Sequence, residues 1–271
     1  NPLVGPVRGV QNYWSCCGVM AGFSQASGVA LALSQWMIDG EPESDIFAMD
    51  VNRFGDYAGK SYAVEKAKEF YENRFYLLCP NDEWPAARPH KVSPLYDRLQ
   101  AADAVFGESY GLEVPLWFAT ADSGSLDVPS FRRSNSHSSV GDECRAVRDS
   151  VGILDGSSFA KYEVAGPDAV AFLDYIFASR LPDVGRIRMG PLLLPSGNMK
   201  GDLTVMRLGQ DRFLIVGSGY LQEFHMLWFE QYLGERNVRI TNRSDALTTI
   251  SIAGPGSREL MTKVANGNFD N

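Results

Sequence analysis

The 271-residue sequence has few of the residues that build metal sites and disulfide scaffolds. It contains four cysteines, without a C-x-x-C pair, and three histidines that lie far apart in the chain. Zinc sites need clustered thiolate and imidazole ligands, and disulfide scaffolds need closely spaced cysteines. The sequence therefore predicts no metal site and no disulfide scaffold. It favours a reducing compartment, which is the cytoplasm or, in a eukaryote, the mitochondrial matrix.

Long apolar runs and an excess of basic residues are also missing. The longest apolar stretches, such as residues 28–33, are far shorter than the ~20 residues that span a bilayer. Lys and Arg number 25 against 33 Asp and Glu, which gives a formal net charge of −8. Nucleic-acid binding requires a basic surface. We therefore expect no membrane span and no nucleic-acid partner.

The sequence also lacks a G-x-G-x-x-G fingerprint, although glycines join an expected strand to an expected helix near its start. The aromatic and cysteine run at residues 13–17 indicates a buried strand, and an apolar stripe predicts a helix over residues 23–38. Gly18 and Gly22 between them allow the backbone to approach a flat or anionic ligand at the helix N-terminus. On spacing alone, a tight strand-to-helix turn without a ligand remains the alternative.

A pattern of strand, Ala-Gly-Pro and helix occurs twice. The segments KYEVAGPDAVAFLDYIFA and TTISIAGPGSRELMTKVA share it, with Gly166 and Gly254 at matching places. Pro167 and Pro255 suit a first helical turn, where the missing N–H has no cost. We expect two equivalent strand–helix units on related sheets. With the hairpin-linked strands between them, the pattern predicts an α+β fold with helices on one face of an antiparallel sheet.

Asp202 is the acidic residue that its surroundings explain least. It begins a β-branched run, where a carboxylate has low strand propensity. It could be a solvated acid at a strand end, or a carboxylate held in a cleft to accept a proton from a ligand nitrogen. Gly217 and Gly219 could keep bulk away from such a site, or could serve only as turn residues. We expect His225, which lies beside an aromatic stripe, to be structural.

Three co-linear stretches carry a resemblance to known proteins. They are VRGVQNYWSCCGVMAGFSQASGVALALSQWMIDGEPESDIFAMDVNRFG, then ARPHKVSPLYDRLQAADAVFGESYGLEVPLWF, and third the pair PSFRRSNSHSSVGDECRAVRDSVGILDGSSFAKYEVAGPDAVAFLDYIFA and LLLPSGNMKGDLTVMRLGQDRFLIVGSG. The first resembles the end of the FAD domain of the dimethylglycine and sarcosine dehydrogenase family. The second resembles the small linking domain of that family. The third resembles its folate-binding domain, which is similar to the T-protein aminomethyltransferase of glycine cleavage.

The resemblance implies three consecutive segments and a division of labour between them. Residues 1–44 are the end of an FAD-dependent oxidoreductase domain, residues 45–107 are the linking domain, and residues 108–271 are the N-terminal part of the aminomethyltransferase-like domain. The implied enzyme demethylates a small N-methyl amine with FAD and passes the one-carbon unit to tetrahydrofolate, which gives 5,10-methylene-tetrahydrofolate. Its electron acceptor is left open.

The resemblance further implies an internal fragment of a longer protein. The pyrophosphate of FAD needs a Gly-rich strand–helix turn, and we expect that turn upstream of the sequence. The fragment alone is therefore expected to be inactive. A folate-binding or aminomethyltransferase-like module without oxidative activity remains the alternative function.

Site residues follow from the same resemblance. The flavin-contacting turn of the family matches Cys17, Gly18, Val19, Met20, Ala21 and Gly22. The folate-contacting segment matches Asp202, Leu203 and Thr204, with Asp202 as the catalytic carboxylate. A folate amine must lose a proton when it attacks an electrophilic carbon, and a fixed carboxylate can orient that N–H and accept the proton. This role explains an acid at the start of a strand.

Overall fold

A computed structural model describes residues 2–265 and 267–269, which form two compact units. Unit 1 is made of residues 2–57 and Ala160–Arg243. Unit 2 is made of residues 58–159 and 244–269. Each unit thus combines stretches that are distant in sequence. The boundaries expected at residues 44 and 107 separate segments by the protein family domains they resemble, whereas the two units are defined by compactness in space. The expected boundaries therefore stay a prediction.

Short strands and seven helices make up the regular structure of the described residues. The strands, in chain order, are β1 (Leu3–Pro6), β2 (Trp14–Cys17), β3 (Ala104–Ser109), β4 (Leu112–Phe118), β5 (Gly152–Asp155), β6 (Ala160–Ala165), β7 (Ile187–Leu193), β8 (Met199–Arg207), β9 (Arg212–Gly217), β10 (Arg239–Asn242) and β11 (Ile250–Ala253). The helices are α1 (Gly22–Asp39), α2 (Lys60–Glu72), α3 (Tyr96–Ala101), α4 (His137–Asp149), α5 (Ala169–Ile176), α6 (Gln222–Leu233) and α7 (Ser257–Val264). Helix α1 confirms the helix expected over residues 23–38, and Gly40 ends it with a φ of 86°.

A five-stranded antiparallel sheet is the centre of unit 1. Its strand order is β10-β6-β9-β8-β7. Alternate residues of the strands form one buried core with residues of α5 and α6. The largest completely buried aromatic side chains of this core are Tyr162, Phe172, Phe213 and Phe229, all with 0% exposure. The α+β fold with helices on one face of an antiparallel sheet is therefore confirmed.

The N-terminal stretch of unit 1 is joined to helix α6 by ion pairs. The guanidinium of Arg8 donates hydrogen bonds to both carboxylate oxygens of Glu230, at 3.0 and 2.7 Å, and another to Glu223. Val4 of β1 is completely buried and forms a bridge with Asp50. The stretch that resembles a flavin domain is thus part of the same compact unit as the five-stranded sheet.

Unit 2 contains two small antiparallel sheets. Strands β3 and β4 form a hairpin, and β5 pairs with β11 from a distant part of the chain. Arg88 forms two hydrogen bonds to Glu113 of β4, at 2.9 and 2.7 Å, and Glu113 is 5% exposed. The guanidinium of Arg88 thus neutralises the charge of the buried Glu113 carboxylate and occupies its hydrogen-bond acceptors.

The Ala-Gly-Pro repeat has the same geometry in both units. Gly166 follows β6 with a φ of 144°, and Gly254 follows β11 with a φ of 116°. In each copy the helix begins three residues after this glycine, which confirms the expected equivalence of the two strand–helix units. Pro167 and Pro255 precede the N-cap residues of α5 and α7, so their expected place in the first helical turn is wrong by one or two residues.

Replacing either repeat glycine by alanine is expected to destabilise the protein by about 3 kcal/mol or more. A Cβ at Gly166 would lie 2.3 Å from the carbonyl oxygen of Asn237, and one at Gly254 would lie 2.5 Å from that of Ser150. Gly197→Ala is the matched control, since Gly197 also has a positive φ of 86° but nothing within 4 Å of the added carbon. We expect a loss of about 1 kcal/mol there. Urea unfolding of the three variants measures the difference, and equal losses would contradict the steric argument.

The described residues contain neither a membrane-spanning helix nor a metal-binding cluster of side chains. No helix among them combines the length and the apolarity that crossing a membrane requires. No group of three or more His, Cys, Asp or Glu side chains in residues 2–265 and 267–269 is arranged to hold a metal ion.

Candidate functional site

Strand β8 places Asp202 and Thr204 on the face of the five-stranded sheet that is turned away from α5 and α6. Their neighbour Leu203 is 1% exposed and belongs to the helix-covered core. Side chains alternate between the two faces along a strand. Asp202 is exposed and Thr204 is half-buried. A ligand on this face can therefore meet the side chains of Asp202 and Thr204, and Leu203 only through its main chain.

Apolar side chains lie beside this carboxylate. Asp202 is opposite Pro191 of β7, and Thr204 is opposite Met189 of β7 and Val216 of β9. Directly opposed residues of an antiparallel pair share a face of the sheet. Met189 is 65% exposed. The face therefore combines an accessible carboxylate with an accessible apolar surface, which suits a flat ligand that carries N–H groups.

Gly217 provides room for the core rather than for a ligand at Asp202. A Cβ at this position would lie 2.1 Å from Cδ2 of Leu203 and 3.0 Å from Cε1 of His225. Any side chain here would therefore displace two buried residues. The contacts of Gly217 are with Leu203 and His225, so they do not support the expected role of keeping bulk away from the Asp202 site.

His225 is a buried and neutral base. It is 2% exposed, and its Nδ1 lies 2.9 Å from the hydroxyl of Tyr162, which has 0% exposure. Burial lowers the pKa of His225 to about 4; repulsion from Lys200 acts in the same direction, and attraction to Asp202 opposes both. Burial also raises the pKa of Tyr162. At neutral pH the two side chains form an uncharged hydrogen bond in the core, which is the structural role expected of His225.

The expected flavin-contacting turn lies between β2 and α1. Gly18 has a φ of 69°, and α1 begins at Gly22. Cys16 and Cys17 are exposed, so the expectation of a buried strand is wrong for this part of β2. The reason is that β2 pairs only with β1 in a two-stranded sheet, so the strand is not enclosed by neighbours.

The start of α1 has properties that fit a flavin. Its N-cap residue, Ala21, provides no side-chain hydrogen bond, and its first turn contains no acidic residue. The N–H groups and the positive end of the helix dipole therefore suit an electron-rich or anionic ligand group. Phe23, Leu31 and Ile38 on the same helix are exposed apolar side chains. Cys17, Gly18 and Gly22 are exposed and free of bulk, so residues 17–22 can contact a flat ring.

A cluster that the sequence does not predict lies at the start of β8. In the pairing with β7, Leu192 is opposite Gly201 and Leu193 is opposite Met199, so Lys200 has no opposite residue. This β-bulge changes the direction of the side chain. The ammonium of Lys200 consequently lies over aromatic rings of α6. No local signal in the sequence marks a bulge, because it depends on how a distant strand pairs.

Two family models match the chain. The model described as "GCVT N-terminal domain" matches residues 95–271, which is more than half of the chain. The model described as "FAD dependent oxidoreductase central domain" matches residues 39–93. The second match falls mainly on the segment that the sequence analysis assigned to the linking domain, residues 45–107.

Curated relatives match almost the whole chain. Dimethylglycine dehydrogenase, mitochondrial, of Homo sapiens is 36% identical over 98% of this chain and 31% of its own length. The 4-methylaminobutanoate oxidase (formaldehyde-forming) of Paenarthrobacter nicotinovorans is 30% identical over 98% of this chain and 32% of its own. The pyruvate dehydrogenase phosphatase regulatory subunit, mitochondrial, of Mus musculus is 26% identical over 97% of this chain and 31% of its own. The chain thus spans about a third of the length of these relatives.

A solved structure shares the fold. The glycine cleavage system aminomethyltransferase T from Bartonella henselae matches with a TM-score of 0.53 and 23% sequence identity. The match covers 64% of this chain and 43% of that chain. At this level of identity the similarity concerns the arrangement of strands and helices.

Proposed function

The chain belongs to the dimethylglycine and sarcosine dehydrogenase family, and from this we propose that it is part of an oxidoreductase that demethylates an N-methyl amine with FAD. The one-carbon unit is passed to tetrahydrofolate. The observation that carries the proposal is the exposed carboxylate of Asp202 beside an apolar sheet face in a domain of the GCVT family.

Asp202 acts as the proton acceptor in the folate half of the reaction. The attacking amine of tetrahydrofolate loses a proton as its nitrogen bonds to the one-carbon unit, and a carboxylate oxygen within hydrogen-bond reach can take it. The apolar surface around Met189 supports the flat ring of the substrate. Thr204 offers a hydroxyl beside the carboxylate, and Leu203 fixes the strand by its burial in the core.

Residues 17–22 hold the flavin in the oxidative half. Cys17, Gly18, Val19, Met20, Ala21 and Gly22 form this contact. The N-terminus of α1 supplies main-chain N–H groups and positive potential to the ring edge. Bound in this place, FAD would supply the acceptor for the hydride that leaves the methyl group of the amine. The rest of the flavin contacts lie outside these residues.

The substrate class and the compartment follow from the relatives. The names of two relatives contain dimethylglycine and 4-methylaminobutanoate, which are small N-methyl amines that also carry a carboxylate. We take this class as the substrate of the protein. Several relatives are named mitochondrial, which supports the matrix in a eukaryote and the cytoplasm otherwise.

The oxidative function is tested by anaerobic mixing of the full-length, flavin-loaded protein, of which this chain is a part, with dimethylglycine, sarcosine or 4-methylaminobutanoate. We expect loss of the oxidised-flavin absorbance with one of these amines. Added tetrahydrofolate is expected to convert the released carbon into methylene-tetrahydrofolate. Unchanged flavin absorbance with all three amines would contradict the proposal.

A folate-binding module without oxidative activity is the second candidate. The observation in its favour is the similarity to a relative that is named a regulatory subunit. Such a module would bind tetrahydrofolate with the Asp202 face intact. Tetrahydrofolate binding together with unchanged flavin absorbance in the mixing experiment favours this candidate over the oxidoreductase.

A further inference from the structure

Lys200 is a half-buried lysine to which no described residue makes a hydrogen bond or an ion pair. Its ammonium lies 3.7 Å from the centre of the Phe224 ring and 5.4 Å from that of Trp228. The carboxylates of Asp50 and Glu41 attract it at longer range. A lysine withdrawn from water normally has a charged partner. An amine without one is available for another interaction.

Two cavities of unit 1 meet at this side chain. Their volumes are about 490 and about 810 Å³, and Lys200 lines both, together with Trp36, Leu194 and Phe224. Volumes of this size admit a small molecule. The amine therefore lies on the shared wall of two spaces with apolar and aromatic linings.

The charges around the cavities exclude an anion as the natural partner of Lys200. Asp39 and Glu41 line both cavities, and Asp50, which is 2% exposed, lines the larger one. A phosphate or carboxylate that approached the single ammonium would be repelled by these three acids. A neutral molecule that reacts with an amine meets no such repulsion.

The amine is poised to react as a nucleophile. Burial lowers the pKa of Lys200 to about 8, from the ordinary value of 10.5, although Asp50 and Glu41 oppose the shift. At neutral pH this raises the uncharged fraction by roughly two orders of magnitude. Lysines that form Schiff bases with carbonyl compounds are activated by desolvation of this kind.

We propose that Lys200 reversibly captures a small neutral aldehyde, of the formaldehyde class, as an imine on the wall of these two cavities. The inference rests on the proposed function, because oxidation of an N-methyl group produces carbon at the aldehyde level. Lys200 then holds this carbon between its formation and its transfer.

The step balances in atoms and charge. The nitrogen lone pair of the uncharged Lys200 adds to the carbonyl carbon, so that a C–N bond forms, the C=O double bond becomes a single bond, and one proton moves from the nitrogen to the oxygen. The product is a carbinolamine. One proton from solvent converts its hydroxyl into leaving water and yields a protonated imine, with no oxidation or reduction. The imine keeps the positive charge, and so it keeps the contact with Phe224 and the attraction to Asp50.

The cavity wall contains groups that match the carbinolamine hydroxyl. The indole Nε1 of Trp228 and the Oε2 of Glu41 are shielded from solvent and have no hydrogen-bond partner, and both side chains line the smaller cavity with Lys200. One is a donor and the other an acceptor, and a hydroxyl can satisfy each. An unpaired buried polar group has a free-energy cost of about 1–3 kcal/mol, which such a contact would relieve.

Isotope labelling tests the capture in the full-length, flavin-loaded protein. The substrate is dimethylglycine with ¹³C in its methyl groups, in the presence of cyanoborohydride and an excess of unlabelled formaldehyde. Cyanoborohydride adds hydride to an imine carbon and leaves a stable N-methyl-lysine, which peptide mass spectrometry locates. We expect about tenfold higher ¹³C enrichment at Lys200 than at the exposed Lys68, because carbon formed within the protein reaches Lys200 before it mixes with solution.

The outcomes separate this inference from the proposed function. Equal enrichment at Lys200 and Lys68 overturns the capture while leaving the oxidation intact. Absence of ¹³C at both, with unchanged flavin absorbance, means that the proposed function itself fails. A second measurement follows formaldehyde release in the first turnover without folate. In the wild type and in Lys68→Met, we expect the release of about one equivalent of formaldehyde per protein molecule to be delayed. In Lys200→Met, which keeps most of the side-chain stem, we expect no delay. A delay in Lys200→Met would also overturn the capture.

Discussion

Asp202→Asn is expected to slow the formation of methylene-tetrahydrofolate by about 10²–10⁴-fold in a single turnover, with formaldehyde accumulating in its place. Asparagine keeps the size and shape of the side chain but cannot accept the proton that the folate amine loses. The proposed flavin contacts are at residues 17–22 and not on β8, so flavin bleaching by the amine is expected to continue. The measured quantity is the ratio of methylene-tetrahydrofolate to formaldehyde under anaerobic conditions.

The matched control is Asp211→Asn, which removes another exposed acid, at the turn between β8 and β9. It is expected to leave the ratio unchanged. Both variants should alter the free energy of unfolding by no more than about 0.5 kcal/mol, since exposed acids outside the core contribute little. An unchanged ratio in Asp202→Asn would show that this carboxylate is not the proton acceptor. A changed ratio with a large loss of stability would indicate a structural role.

Acidification from about pH 7 to about pH 4 is expected to remove roughly 3 kcal/mol of stability through His225 alone. The folded-state pKa of about 4 lies below the value of 6.5 for an unperturbed histidine. Between these two values the unfolded chain binds more protons than the folded chain. Stability therefore rises with pH across this window and is lost as the pH falls through it.

His225→Asn isolates this contribution. The asparagine oxygen can take the place of Nδ1 as the partner of the Tyr162 hydroxyl, and it does not titrate. Burial raises the pKa values of Asp50 and Glu83, so these carboxyls act in the opposite sense, but they are present in both proteins. Urea unfolding across the pH range should therefore give a steeper acid decline in the wild type. If the free energy of unfolding declined equally with falling pH in the wild type and in His225→Asn, the conclusion that His225 is buried and neutral would be wrong.

Local patterns in the sequence predicted the parts of the fold that depend on local chemistry. The apolar stripe and the glycine at its end defined α1 to within one residue at each end. The repeated Ala-Gly-Pro defined two equivalent strand–helix units, because a glycine with positive φ and a proline before the helix are requirements of the turn itself.

Features that depend on distant pairing could not be predicted in this way. The bulge that redirects Lys200 exists only because β7 pairs with β8 in a particular register. The exposure of Cys16 and Cys17 depends on how few strands β2 pairs with, and not on the residues of β2. The need for a glycine at position 217 becomes visible only when Leu203 and His225 are placed against it.

The interleaving of the two units affects how the chain folds during its synthesis. Residues 2–57 belong with Ala160–Arg243, and 102 residues of unit 2, Ala58–Phe159, are made between them. At about 5–20 residues per second, the first stretch waits roughly 10–40 s until the last strand of the five-stranded sheet in its unit has been made. During this interval the partners of Arg8 on α6 do not yet exist, and the apolar side chains of α1 meet the crowded cell interior. We therefore expect the nascent chain to bind chaperones during this interval, and slower translation within residues 58–159 to prolong that binding.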